Sequence, residues 1–257
     1  MNEIFHIVLI GGIVFLAHTL EGITGFGCAV IALPFISLLL GIKLTVPMLC
    51  VLGWCMALYI VIRSRKAIQW KEFFYIAVCA GIGMPFGMLM FEKMSPVGLS
   101  LVLGGFMVGV GIHGAVRTWR SRTASGPQVP PRKNWLMGIV LFCGGIIHGT
   151  FGTGGPFVVI YASKALPEKS LFRVTLSLLW FSLNSWRLAD WTVSGNVWNA
   201  EIFRVLIWMF PFMAAGVLLG DYLHHRVSEF WFRFSVYAIL GVAGVVMLGN
   251  NLCKLLN

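Results

Sequence analysis

Apolar positions in this chain run in blocks rather than in stripes. Ten stretches are apolar almost without interruption, at about 4–20, 26–41, 45–62, 72–91, 96–116, 135–150, 154–166, 170–187, 200–220 and 228–252. Most are close to the roughly 20 residues that a helix needs to cross a ~30 Å hydrocarbon core. None shows the dyad alternation of a transmembrane β-strand. The pattern predicts an all-α polytopic membrane protein. The second segment, about 16 residues, reaches only about 24 Å and the seventh reaches less, so each is expected to start part-way into the membrane. The first segment lacks the basic flank and clear cleavage site of a signal peptide and is expected to remain as a helix.

The one substantial polar interruption is the basic, proline-bearing linker "RTWRSRTASGPQVPPRK" at residues 117–133. It divides the chain into a first transmembrane repeat, residues 1–116, and a second, residues 134–257. Laid over each other, the halves match at three places in the same order. "GITGFGCAV" (22–30) corresponds to "GTFGTGGPF" (149–157), "WKEFF" (70–74) to "WNAEIF" (198–203), and "GMLMFE" (87–92) to "GVLLGD" (216–221). With five segments per half, the repeats are inverted. Lys and Arg then divide fourteen against five between the two sets of loops, which makes the richer set and the linker cytoplasmic and both termini extracytoplasmic. Parallel repeats, with segments two and seven as one-sided half-helices, divide them twelve against seven.

Composition agrees: 58% of residues are hydrophobic and 11% charged, against about 25% charged in soluble domains. The net charge of +10 sits in short loops at helix ends and reports topology rather than nucleic acid. The six cysteines include no C-x-x-C pair and read as packed thiols. No G-x-x-x-x-G-K-[ST] loop, G-x-S-x-G elbow or H-E-x-x-H zinc helix is present. The expectation is a non-enzyme without catalytic residues, metal or cofactor. Its partners are the bilayer and a small anion, with no nucleic acid and with a homo-oligomer left open.

The glycine motifs carry the chemistry. Close helix packing uses small residues spaced by four, whereas Gly22 and Gly25, like Gly149 and Gly152, are spaced by three, with further glycines at 27, 154 and 155. The pattern predicts a helix break in each half, with the first segment ending near Thr19 or Gly22 and the second beginning near Gly27 or Cys28. Unwound backbone at membrane depth is tolerated where it is buried in protein or lines a cavity, and paired breaks in two repeats point to a midplane substrate site. Helix N-termini aimed there favour an anion. Thr24, Gly25, Phe26 and Gly27, with Thr150, Gly152, Thr153, Gly154 and Gly155, are therefore the candidate binding residues.

These two stretches, "HTLEGITGFGCAVIALPF" and "HGTFGTGGPFVVIY", opening the halves of an all-helical chain of this length, resemble the sulfite exporter TauE/SafE family of bacterial membrane transporters. The resemblance implies a multi-pass inner-membrane carrier of small sulfur-containing anions such as sulfite or organosulfonates. The first half departs from the family's consecutive glycines, with Phe26 and Cys28 flanking Gly27.

Ionisable groups within membrane segments are functional candidates by default. Glu21 and His148 fall at matching repeat positions, with His18 one turn before Glu21, and a carboxylate and an imidazole so placed are candidates for coupling protons to the anion. The competing reading has Glu21 capping or pairing locally and His148 hydrogen-bonding a carbonyl of the broken helix. Asn184 and Arg187 are secondary candidates at the outer mouth, Arg187 alternatively snorkelling or pairing with Asp190. His113, and His224 beside His225, carry no ligand pattern. Trp70, Trp119, Trp135, Trp191 and Trp198 read as interface anchors, and Pro85 and Pro211 as kinks in related segments. The function classes left open are a secondary carrier, with or without proton coupling, and an uncoupled anion channel on the same half-helices.

Overall fold

The computed structural model describes residues 3–24, 27–121, 135–166, 168–195, 197–223 and 229–256, all of them helix, short turn or connection, with no strand among them. The helices are α1 (Glu3–Thr24), α2 (Cys28–Leu40), α3 (Ile42–Ser64), α4 (Trp70–Lys93), α5 (Pro96–Ser121), α6 (Trp135–Phe151), α7 (Gly155–Ala165), α8 (Lys169–Ser194), α9 (Ala200–Leu223) and α10 (Glu229–Leu256), with one 3-10 turn at Arg65–Ala67. The linker residues 122–134, Gly25, Phe26, His224 and His225 lie outside the described residues. So does the side chain of Thr24.

Among the described residues, five helices, α1, α3, α4, α5 and α9, contain stretches long and apolar enough to cross a membrane. Their outward faces are belts of exposed apolar side chains such as Leu16, Ile62, Ile82, Ile207 and Leu218, which suits lipid and not water. Trp70, Trp119 and Trp135 are exposed near helix ends, where anchors belong. Trp191 corrects the expectation: it is 1% exposed and packs on Phe91 with ring centroids 5.8 Å apart.

Local signals place the ends. Ser95 Oγ accepts the Gly98 N–H at 3.1 Å, capping α5, and Pro96 stands at its first position. Gly41, at φ +78°, closes α2 and opens α3 with no residue between. Its N–H donates to Ser37 O and its carbonyl accepts from the Thr45 N–H. With 13 and 11 residues, α2 and α7 reach about 20 Å and 16 Å at 1.5 Å per residue and cross no ~30 Å core.

The two halves repeat their breaks at a constant interval. Helices α1 and α6 end at Thr24 and Phe151, α2 and α7 begin at Cys28 and Gly155, and α3 and α8 begin at Ile42 and Lys169, each 127 residues apart. Packing follows the same exchange: α1 lies on α9 as α6 lies on α4, while α3 pairs with α8 and α5 with α10. The last two pairs are antiparallel. Lys43 and Arg187 both sit over the Phe91 ring at one end, while Arg63 and Arg173 both reach Asp221 at the other. Gly104 meets Leu248 and Gly114 meets Tyr237 along α5 and α10.

The third sequence match shifts by a turn. A Cβ on Gly216 would meet Phe15 O and Thr19 N, and one on Gly83 would meet Phe142 O and Ile146 N. Since 15 and 19 map onto 142 and 146, Gly216 is the counterpart of Gly83 and not of Gly87. Consequently Pro85 and Pro211 occupy different turns of their helices. The sequence match followed the terminal carboxylates, whereas the helix contact follows the glycines.

Candidate functional site

Helix α1 continues to Thr24, past the break expected at Thr19 or Gly22. The reason is Gly22 itself, whose missing side chain lets the backbone of Gly220 approach, 2.9 Å from where a Cβ would stand. In the second half Gly145 and Gly149, spaced by four, press α6 onto α4 in the same way. Gly22 and Gly149 thus serve packing, and Gly27 and Gly152 the turn. Gly27, at φ +110°, adopts a conformation open to glycine and starts α2. Gly152, at φ +68°, leaves α6, and a Cβ there would also lie 2.6 Å from Cys50 Sγ.

Both short helices begin at one cavity of about 30 Å³, lined by Glu21, Gly27, Cys28, His148, Gly152, Thr153, Gly154, Gly155, Trp180 and Asn184 among others. From it α2 runs to the end where Lys43 and Arg187 meet Phe91, and α7 runs to the end where Arg173 meets Asp221. The two N-termini therefore approach from opposite sides of the molecule. The volume holds little more than one water.

Glu21 and His148 do the same job at equivalent places. Glu21 Oε2 accepts the N–H of Cys28, the first residue of α2, at 3.2 Å. His148 Nδ1 accepts the N–H of Gly154, the residue before α7, at 3.4 Å. One is a carboxylate at the positive end of a helix, the other a neutral acceptor. With Nδ1 accepting, the neutral ring carries its proton on Nε2, which has no partner and is buried. Stacking on Trp180, 5.3 Å between centroids and 19° between planes, fixes the ring. Thr153 Oγ1 and Asn184 Oδ1 are likewise buried without partners. A hydroxyl, an imidazole N–H and an amide oxygen, the first two of them donors, thus belong to residues lining the cavity and have hydrogen-bonding capacity unused, which buried polar groups rarely have.

Other candidates lie elsewhere. Thr150 is buried, and its hydroxyl donates to Ile146 O at 2.9 Å and Gly87 O at 3.2 Å, tying α6 to α4. His18 is bonded through Nδ1 to Val14 O and stands beside Gly216 of α9, away from the cavity lining. Arg187 does not snorkel. It is 1% exposed, 3.5 Å from Asp190, with its guanidinium over the Phe91 and Trp191 rings at 4.9 and 4.3 Å. Its Nε and Nη2 have no partner. His113 is exposed on α5, and among the described residues no three His, Cys, Asp or Glu side chains come together.

Missed from the sequence was the polar face of α8. Arg173, Ser177, Trp180, Asn184, Arg187 and Trp191 recur every three or four residues and are all buried, forming one continuous stripe. The spacing was readable, but only Asn184 and Arg187 had been singled out, at the outer mouth.

The two threonines separate experimentally. Thr150→Val is expected to lower thermal stability by about 1 kcal/mol, the usual net value of a hydrogen bond, with unchanged affinity for an anion bound at the cavity, read as the shift in melting temperature it gives. Thr153→Val should melt like the parent and weaken that affinity about three- to tenfold.

A multi-pass helical protein with two opposed half-helices meeting at a buried polar cavity has the architecture of a membrane transporter. The chain belongs to the family described as "Sulfite exporter TauE/SafE", whose family model matches residues 10–247. No curated protein and no solved structure is similar enough to be matched with it. The family is one of membrane transporters of sulfur anions rather than of enzymes.

Proposed function

We propose that the protein is a secondary carrier that exports a small sulfur-containing anion, such as sulfite or an organosulfonate, across the bacterial inner membrane. The observation that supports it best is the cavity where α2 and α7 begin, with His148 Nε2 and Thr153 Oγ1 unpartnered. An oxyanion offers acceptors for the imidazole N–H and the hydroxyl. The cavity is smaller than such an anion, so binding requires the surrounding helices to part. The antiparallel run of α3 and α8, equivalent helices of the two halves, supports an inverted repeat and alternating access. The Arg63–Arg173 end is then cytoplasmic and both termini are extracytoplasmic.

Proteoliposomes loaded with radiolabelled sulfite test this. Saturable efflux, accelerated by sulfite outside, is the expected result. Linear flux without counter-transport indicates the channel reading, and flux no faster than in empty liposomes removes both.

Proton coupling belongs to the same proposal. Glu21→Gln retains an oxygen for the Cys28 N–H but removes ionisation. It is expected to leave thermal stability within about 1 kcal/mol of the parent and to abolish acceleration of efflux by an imposed pH gradient. Unaltered acceleration in Glu21→Gln would leave Glu21 as a helix cap only.

A further inference from the structure

At the opposite end of α8 from Arg187 lies a second and larger space, a cavity of about 370 Å³ lined by Tyr59, Arg63, Ser64, Ser170, Arg173 and Asp221 with two aliphatic neighbours. Its lining is mostly polar, and its charges are two arginines against one aspartate. Asp221 Oδ1 accepts from Arg173 Nη2 at 2.9 Å and its Oδ2 from Arg63 Nη1 at 3.2 Å. One carboxylate is thus shared by guanidiniums from α3 and α8. Arg173 is about nine-tenths buried and its Nε is without a partner. A guanidinium recognises carboxylate, sulfonate and phosphate through paired N–H donors, and this one has a donor to spare. Ser170, in the first turn of α8, places a hydroxyl at the positive end of that helix.

We propose that this cavity is a loading site for the transported oxyanion, with Arg173 as its principal ligand, Arg63 as the second, and Asp221 as a resident carboxylate that the anion displaces. The assignment rests on the carrier reading for what the anion is. It adds where that anion first binds and what competes with it. Arg173 and Asn184 stand on one face of α8, 11 residues and about 16 Å apart, so the anion released by Arg173 travels along that face to the central cavity. Asp221 makes the site self-closing. Without the anion it joins α9 to α3 and α8, and with the anion bound that junction is broken. Asp221 follows Gly220, whose backbone presses on Gly22 beside Glu21, so a shift of α9 at the mouth is felt at the start of α2.

The experiment measures sulfite transport in oriented proteoliposomes with sulfite varied on the Arg173 side. Arg173→Gln is expected to raise apparent KM at that face at least tenfold, with maximal rate within about twofold. Asp221→Asn, which removes the competitor, is expected to lower KM about threefold or more. If Arg173 and Asp221 serve only as a structural ion pair, both variants lower stability alike and neither moves KM, and the proposal falls. A second readout needs no transport: the rise in melting temperature given by sodium sulfite over sodium chloride at equal ionic strength. It is expected to be larger in Asp221→Asn than in the parent and lost in Arg173→Gln/Asp221→Asn. Parent protein that binds sulfite in this way but moves none retires the carrier reading and leaves the loading site standing. Normal sulfite efflux with equal melting shifts in all three proteins does the reverse.

Discussion

His148→Asn should leave a protein that folds and melts normally but moves its anion about ten- to a hundredfold less efficiently in kcat/KM. The imidazole has two tasks on two atoms. Nδ1 accepts the Gly154 N–H and holds the start of α7, whereas Nε2 faces the cavity without a partner. An asparagine oxygen reaches roughly where Nδ1 stands, so the helix start keeps its acceptor, but nothing replaces the donor. Losing one hydrogen bond to a charged ligand is worth about 1.5–3 kcal/mol, and each 1.4 kcal/mol is a factor of ten. His148→Gln is the mirror variant. Its amide reaches toward Nε2 and leaves the Gly154 N–H unpaired, so transport is expected to survive better and thermal stability to fall by about 1–3 kcal/mol. Efflux of radiolabelled sulfite and thermal unfolding in detergent read the two effects separately. Wild-type transport in His148→Asn would mean that the imidazole is a cap and nothing more.

The division of labour within His148 also shows what the sequence held and what it withheld. The match of Glu21 with His148 follows from an interval of 127 residues, and both residues meet the start of the following short helix. Proton coupling and a bond to local backbone were the alternatives at His148, and the bond to backbone is present through Nδ1, which leaves Nε2 open to the proposed role. The sequence could not separate them because residue spacing carries no information about which nitrogen faces the backbone. It also placed the start of α2 within a residue while ending α1 too early. Glycine marks both a close helix contact and a turn, and only the partner helix, here α9 against Gly22, tells them apart.

Helix α8 was obscured for a different reason. A membrane segment is recognised by contact with lipid, and α8 has little: its polar stripe faces protein, and it is absent from the five long apolar spans. Asn184 and Arg187 looked like residues of the outer mouth because charge and polarity within a hydrocarbon core are costly. On a helix packed against α3 and α4, they are buried within the protein. Trp191 was misplaced by the same assumption, that a tryptophan near a segment end meets the interface.

Gly145→Ala should destabilise the protein by about 3 kcal/mol or more, at or beyond the upper end of ordinary overpacking. The added methyl would lie 1.9 Å from Ala80 O and 2.7 Å from Ala80 C, both backbone atoms of α4. A clash with a side chain is relieved by a change of rotamer, but a carbonyl within a helix has nowhere to turn. Helices α4 and α6 would have to separate, and the contacts of Gly83, Gly87 and Gly149 along the same seam would open with them. Gly138→Ala is the control on the same helix, since a Cβ there meets nothing within 4 Å. It is expected to melt at or slightly above the parent temperature, because alanine favours helix over glycine. The damage would also reach function, since His148 lies three residues beyond Gly145 and its ring position depends on where α6 rests. Thermal unfolding of the two variants in one detergent decides the point. Equal melting temperatures would mean that the α4–α6 seam has room to spare and that His148 is positioned by Trp180 and the Gly152 turn alone.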